Sequence, residues 1–208
     1  MKTENIHGLY AITDSHLIPP GELVPRVAEA IQGGAKVIQF RDKSDDSERK
    51  AWEAMDLLNI CRTLNIPLII NDDVELAIQI GADGVHLGSD DYDIEQARQQ
   101  LGDNILIGVS CYNHFDNAID AVNKGADYIA FGRFFPSSTK PDAVQADLSL
   151  LERAKQELSV PVVAIGGITP ENGASLIEAG ADALAVIHGV FGQTDITAAA
   201  ARYAALFE

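Results

Sequence analysis

Ser137-Ser138-Thr139-Lys140 sets three short hydroxyls and one ammonium in a row, directly after Phe134-Phe135-Pro136 and the apolar run Tyr128–Phe131. Hydroxyls donate to anionic oxygens and an ammonium neutralises them, so the stretch suits a phosphate-bearing ligand. A turn kept soluble by arbitrary polar residues is the plainer use. A second cationic group follows the run 37–40. Gln39, Arg41 and Lys43 are two residues apart, a spacing that turns all three to one side of an extended chain. Two cations and an amide donor converging there suit a phosphate group; a solvated charged loop uses the same residues.

Carboxylates follow the next two apolar runs, in Asn71-Asp72-Asp73 and Gly88-Ser89-Asp90-Asp91. Acids at two adjacent strand ends can hold one hard cation, since magnesium takes one or two carboxylates and completes its shell with water and phosphate oxygens. Aspartate is also a favoured helix N-cap where a strand turns into a helix. Ser110 can donate to a ligand or close a turn. The paired glycines Gly166-Gly167 permit close backbone approach. His188 sits at a strand end and leads the five histidines as a functional candidate, while His86, inside a strand, reads as hydrogen-bonded structure. No serine–histidine–aspartate order or spacing supports nucleophilic catalysis, and Cys111 has no adjoining base to activate it.

These candidates need elements to position them. Eight apolar runs, at 9–13, 37–40, 67–71, 84–87, 105–109, 128–131, 161–165 and 183–187, alternate with amphipathic stretches such as 22–32, 46–64 and 148–158. Runs that are apolar throughout suit parallel strands buried on both faces. Four times a helix-like stretch ends in Gly-Ala plus Lys or Asp: Gly34-Ala35-Lys36, Gly81-Ala82-Asp83, Gly125-Ala126-Asp127 and Gly180-Ala181-Asp182. Glycine just past a helix closes its last turn with φ > 0, and the short link then feeds the next strand. Eight alternating units without a linker predict one (β/α)8 TIM barrel, a single catalytic domain over 1–208, with a doubly wound open sheet as the alternative. In a barrel the polar groups named above all fall at carboxyl ends of strands, where chemistry sits. Loops 7 and 8 are where barrels commonly hold a phosphate through backbone N–H groups.

Of 208 residues, 47% are hydrophobic and 22% charged, enough for a sizeable core. The net charge of −16 sets the overall field against nucleic acid and anionic membranes. Any phosphate site must therefore be local. Two cysteines without metal-ligand spacing, no signal-peptide core and no apolar run of membrane-spanning length lead to the expectation of a cytoplasmic protein.

The ordered set "LYAITD" (9–14), "VIQFRDK" (37–43), "IINDD" (69–73), "GADGVHLGSDD" (81–91), "IGVSC" (107–111), "DYIAFGRFFPSSTK" (127–140), "VVAIGGI" (162–168) and "GADALAVIHGVF" (180–191) resembles the thiamine-phosphate synthase family over nearly the whole chain. The resemblance implies transfer of an aminopyrimidine-methyl group from its diphosphate to a thiazole phosphate, giving thiamine phosphate and pyrophosphate. It implies that Gln39, Phe40, Arg41, Asp42, Lys43, Asn71, Ser110 and Lys140 bind the pyrimidine diphosphate, with Arg41, Lys43, Ser110 and Lys140 catalytic. Asp72 and Asp91 would hold one Mg²⁺ per subunit. Ser137, Ser138, Thr139, Gly167, Ile187 and His188 would take the thiazole phosphate. The implied partners are small phosphorylated substrates, with no nucleic acid and no membrane; a homo-oligomer stays open. Three positions depart from the pattern: Ser137 where threonine is frequent, His188 where serine is frequent, and Tyr112 where many relatives carry histidine. A sister branch, the thiazole tautomerases, resembles this family but uses that histidine for proton transfer, so Tyr112 argues against it. The remaining alternative is a non-catalytic phosphate-binding barrel.

Overall fold

The computed structural model describes residues 6–88, 93–136 and 145–208. Eight strands, β1 (Gly8–Ile12), β2 (Ala35–Phe40), β3 (Leu68–Asn71), β4 (Gly84–Leu87), β5 (Leu106–Tyr112), β6 (Tyr128–Phe131), β7 (Val162–Ile165) and β8 (Ala183–Val186), pair in sequence order. All pairs are parallel, and β8 returns to β1, closing the barrel. The expected (β/α)8 TIM barrel is the fold, and closure excludes the open sheet. Around it lie α1 (Leu23–Gln32), α2 (Ser47–Thr63), α3 (Val74–Ile80), α4 (Ile94–Leu101), α5 (Phe115–Asn123), α6 (Ser149–Glu157), α7 (Gly173–Glu178), α8 (His188–Phe191) and α9 (Ile196–Ala204). Among the described residues no helix is long and apolar enough to cross a membrane.

The period-2 alternation of a strand divides the core in two. Leu9, Ile38, Ile70, Val85, Ile107, Ile129 and Leu184 face outward into the layer shared with the helices. Tyr10, Val37, Ile69, Leu106, Tyr128, Val163 and Ala185 fill the barrel itself. Both layers are apolar, which is why the strands read as unbroken hydrophobic runs. Aspartates start four of the helices: Asp46, Asp73, Asp93 and Asp195 each accept from the backbone N–H three residues on.

The repeated Gly-Ala-Asp has a physical cause at each site. Gly81, Gly125 and Gly180 have φ of 70°, 100° and 113°, and the N–H groups of Ala82, Ala126 and Ala181 return to carbonyls five residues earlier, each at 2.9 Å. The aspartate that follows clasps the neighbouring strand twice. Asp83, Asp127 and Asp182 donate their N–H to the carbonyls of Leu68, Ile107 and Val162. Their carboxylates accept the N–H of the same three residues, at 2.9, 2.7 and 2.9 Å. These clasps rivet β3 to β4, β5 to β6 and β7 to β8 at the amino-terminal end of the barrel, opposite the chemistry.

One strand runs further than its hydrophobic pattern indicated. β5 continues past Val109 to Tyr112, with an irregularity in its pairing to β6 between Ser110 and Tyr112. The extension is held by Gly132 N–H donating to the Tyr112 carbonyl, 2.9 Å. It places Ser110 on a strand rather than in a turn.

Candidate active site at the carboxyl end of the barrel

A cavity of about 830 Å³ opens at the carboxyl ends of the strands. Its lining follows from strand alternation. Gln39, Asn71, His86 and Ser110 are the inward residues at the tops of β2, β3, β4 and β5. Across from them Ile12, Ala130, Val163, Ile165 and Ala185 make an apolar wall. A ring-shaped ligand would thus meet polar edges on one side and hydrocarbon on the other.

Beneath the polar side runs a row of hydrogen bonds crossing the barrel interior. Gln39 Nε2 donates to Tyr10 Oη at 2.9 Å; Tyr10 Oη lies 2.8 Å from Tyr128 Oη; Tyr128 Oη lies 3.1 Å from His86 Nδ1; and His86 Nε2 lies 2.9 Å from Ser110 Oγ. Burial raises both phenols well above the ordinary tyrosine range, so both stay protonated. Gly108 makes this row possible. It sits between His86 and Tyr128 in the sheet register, and a Cβ there would lie 2.0 Å from the Tyr128 ring.

Next to the cavity lies a polar pocket of about 410 Å³, lined by Asp42, Lys43, Lys50, Asn71, Asp72 and Glu75 among others. Asn71 lines both spaces. Lys43 Nζ meets Asp72 Oδ2 at 2.5 Å, and Asn71 Nδ2 donates to the same oxygen at 2.7 Å. Asp73 also lines this pocket and caps α3, its Oδ1 accepting from Leu76 N–H. Of the two sequence readings of these acids, helix capping holds for Asp73.

Gln39, Arg41 and Lys43 do not all face one space. Gln39 and Arg41 line the main cavity, whereas Lys43 lines the polar pocket, because the strand ends at Phe40 and the extended spacing does not persist. Phe40 packs outward against the helices. Asp42 Oδ2 accepts from Arg49 Nη2 at 2.6 Å and Oδ1 from Ser44 N–H at 2.8 Å. Burial pushes the Asp42 carboxyl up, but the Ser44 and Arg49 donors outweigh it and the net displacement is downward. Arg41 is braced from β1: Nη1 lies 3.1 Å from Asp14 Oδ2, and its N–H donates to Thr13 Oγ1 at 2.9 Å.

On the opposite rim, Gly166 and Gly167 do need their missing side chains, though for a protein neighbour. A Cβ on Gly167 would lie 2.3 Å from the Pro136 carbonyl oxygen, and one on Gly166 the same distance from Arg133 Cβ. Loop 7 is thereby pressed onto the chain leading into the hydroxyl stretch. Gly167, Ile187 and His188 all line the cavity. Ile187 precedes α8, and its carbonyl accepts from Val190 and Phe191 N–H. The His188 ring folds back beside Gly192, which leaves backbone as the part of residue 188 nearest the helix start. Ser137, Ser138, Thr139, Lys140 and Asp91 lie outside the described residues.

Sequence reasoning missed Tyr10, Tyr128 and the bracing pair Thr13 and Asp14. Two buried tyrosines inside apolar runs are a usable signal, because a buried phenol needs a hydrogen-bond partner. Both cysteines are buried, and burial pushes each thiol up to about 12, in keeping with the reading of Cys111 as unreactive.

Fold and cavity together place the chain among (β/α)8-barrel enzymes that act on small ligands at the carboxyl ends of their strands. The thiamine monophosphate synthase family model matches residues 9–190. A thiamine-phosphate synthase from Nitrosococcus oceani is 56% identical over 201 residues, 97% of this chain and 93% of that protein. One from Alcanivorax borkumensis is 47% identical over 211 residues, 100% of this chain and 97% of that protein. Among solved structures, a thiamine phosphate pyrophosphorylase from Pyrococcus furiosus superposes with a TM-score of 0.87 at 34% identity, covering 98% of this chain and 96% of that one. The chain belongs to the thiamine monophosphate synthase family, and with it to the transferases of thiamine biosynthesis.

Proposed function

We propose that the enzyme joins 4-amino-2-methyl-5-(diphosphooxymethyl)pyrimidine to 4-methyl-5-(2-phosphoethyl)thiazole, or to its carboxylated precursor with loss of CO2, giving thiamine phosphate and pyrophosphate. The observation that carries this reading is Asn71, the wall shared by the half-apolar cavity and the pocket of Lys43 and Asp72. A substrate with a flat ring at one end and a diphosphate at the other fits across that wall. The ring would rest on Gln39 and Ser110, and the diphosphate would reach Arg41, Lys43 and Lys140. Ser137, Ser138 and Thr139, with the backbone at Gly167, Ile187 and His188, would take the thiazole phosphate.

The methylene–oxygen bond breaks with its electron pair on the leaving diphosphate, and the thiazole nitrogen lone pair forms the new carbon–nitrogen bond. No proton has to be removed, so no general base is needed. The electron-rich aminopyrimidine supports positive charge on the methylene, which makes a dissociative substitution reasonable. Stabilising charge on the departing oxygens is then the main task, and fixed cations in a confined site perform it. Holding two reactants face to face supplies much of the rest.

Asp72 suits a hard cation. Its Oδ2 is engaged by Lys43 and Asn71, leaving Oδ1 beside the diphosphate path, and Asp91 would be the second carboxylate. Bound there, Mg²⁺ would neutralise diphosphate oxygens. Tyr112, which lines the cavity where the tautomerase branch carries a histidine, supports the synthase over the tautomerase.

The test supplies both phosphorylated halves and Mg²⁺ and measures thiamine phosphate and pyrophosphate in equal amounts. EDTA should abolish the signal and added Mg²⁺ restore it. No product from pure substrates and metal would refute the assignment.

A further inference from the structure

The row from Gln39 to Ser110 has a direction, and the direction determines what the cavity offers a ligand. A phenol hydroxyl carries one hydrogen and two lone pairs, and a neutral imidazole has one N–H and one bare nitrogen. Tyr10 and Tyr128 are buried, at 1% and 0% exposure, so a hydroxyl hydrogen without an acceptor would carry the cost of a buried unmet donor. Among the described residues no buried side-chain nitrogen or oxygen lacks a partner.

The assignment starts at Gln39. Its Nε2 donates to Tyr10 Oη, so the Tyr10 hydrogen has Tyr128 Oη as its acceptor. Tyr128 then receives one hydrogen and passes its own to His86 Nδ1. Nδ1 is thereby the bare nitrogen, the ring proton sits on Nε2, and Nε2 donates to Ser110 Oγ. In the opposite direction Tyr10 would accept from both sides, and its own hydrogen would point at no acceptor. Reversal requires Gln39 to turn its Oε1 onto Tyr10.

We infer that Tyr10, Tyr128 and His86 are positioning residues that lock the Nε2–H tautomer of His86, making Ser110 a hydroxyl donor and Gln39 Oε1 an acceptor toward the cavity. An acceptor on β2 and a donor on β5, both lining the polar side of the cavity, complement a ring that carries an amine and a ring nitrogen on its edge. That last step rests on the proposed function; the tautomer does not. Gly108 leaves room for the row itself, because a β-carbon there is incompatible with the Tyr128 ring that carries its middle.

The test is ¹⁵N NMR of the ligand-free full chain labelled at its five histidines, with the His86 signals assigned by their loss in His86→Gln. The expected result is a protonated Nε2 and a bare Nδ1. A protonated Nδ1 would overturn the inference, since the row would then run backwards and Ser110 would donate inward. The tautomer itself is read on wild-type protein, and through-bond backbone-to-ring correlations assign His86 should His86→Gln not fold, so neither a misfolded variant nor an inactive enzyme can obscure it. In Tyr128→Phe, and separately in Tyr10→Phe, His86 should populate the second tautomer. There, kcat/KM for the pyrimidine diphosphate should fall about tenfold, the scale of one misdirected hydrogen bond, with KM for the thiazole phosphate unchanged. A single unaltered tautomer in both variants, or equal losses for both substrates, would reduce the tyrosines to packing.

Discussion

The carboxylate of Asp14 holds Arg41 across the seam between β1 and β2, with Oδ2 3.1 Å from Nη1 while Oδ1 accepts His16 N–H at 2.9 Å. The aspartate is itself pinned by the turn it begins, so it fixes where the guanidinium can point. Asp14→Asn keeps the shape and removes the charge. Losing one charge-assisted hydrogen bond, ~1.5–3 kcal/mol, should lower kcat/KM for the pyrimidine diphosphate by about ten- to a hundredfold. Steady-state kinetics with each substrate varied in turn checks this; an equal loss toward the thiazole phosphate would show a general disturbance instead.

Asp72, proposed above as a metal ligand, also has an uncommon backbone. Its φ is +61°, a left-handed conformation in which asparagine is nearly as acceptable as aspartate but alanine costs about 1–2 kcal/mol. Asp72→Asn should therefore leave the thermal midpoint within about 3 °C of wild type while raising the Mg²⁺ concentration for half-maximal rate roughly tenfold or more. Titration of activity with Mg²⁺, beside a melting curve, measures both. An unchanged metal requirement would remove Asp72 from the metal site.

Much of this architecture was legible in the sequence because it rests on short-range chemistry. The Gly-Ala-Asp repeats announced helix ends and strand starts, since φ > 0 at Gly81, Gly125 and Gly180 is a local demand that glycine meets. Strand tops could be placed, and with them Gln39, Arg41, Asn71, Asp72 and Ser110. What stayed hidden depends on closure. Tyr10 on β1 meets Tyr128 on β6 at 2.8 Å, a pairing 118 residues apart that no periodicity contains. Likewise Lys43 parts from Arg41 because β2 stops at Phe40, a boundary that the alternating pattern of polar residues did not mark.

Alkaline titration should separate the two interior tyrosines from the rest. Burial raises the folded-state pKa of both, so in the range above the ordinary tyrosine value near 10 the unfolded chain loses protons that the folded one keeps. Their contribution to stability is complete below pH ~10 and declines as pH rises beyond it. Tyrosinate absorbance should thus appear late, together with loss of circular dichroism. Tyr128→Phe should flatten the alkaline fall in urea midpoints. Reversible ionisation of all five tyrosines in folded protein would contradict the buried row.

At the other end of the barrel, Asp127 is a purely structural aspartate. Its Oδ2 accepts Ile107 N–H at 2.7 Å and also meets Arg98, which bonds three carbonyls, those of Gly102, Ile105 and Gly125. Asp127→Ala leaves the Ile107 N–H and the guanidinium without this partner. A loss of about 2 kcal/mol, or roughly 4–8 °C in thermal midpoint, should follow, with kcat and both KM values unchanged below the new midpoint. Loss of activity at a temperature where the variant is fully folded would mean the two ends of the barrel are coupled.

Tyr203 and Gly189 make a tightly constrained contact near the side of the cavity proposed for the thiazole phosphate. Tyr203, on α9, donates its hydroxyl to the Ile168 carbonyl at 3.0 Å and so ties the end of loop 7 to the helix behind α8. The same oxygen lies 2.1 Å from where a Gly189 Cβ would be, and Val186 Cγ1 is at 2.9 Å. Gly189→Ala must displace α8 or the tyrosine, and overpacking of this kind costs about 1–3 kcal/mol. Tyr203→Phe removes the oxygen but leaves the Ile168 carbonyl without its donor, a loss of about 1–3 kcal/mol. In the double variant the phenyl ring still approaches the new methyl, with Tyr203 Cζ at 3.0 Å, yet the worst overlap is gone. The two destabilisations should therefore sum to more than the double variant shows, by about 1 kcal/mol. Urea denaturation of the four proteins measures that coupling. Both single variants should also raise KM for the thiazole phosphate more than for the pyrimidine diphosphate, because α8 and loop 7 line the side of the cavity proposed for that substrate. Strict additivity would mean the chain relaxes around residue 189 without involving Tyr203, and the placement of α8 would then have to depend on Val186 and the β8 strand end instead.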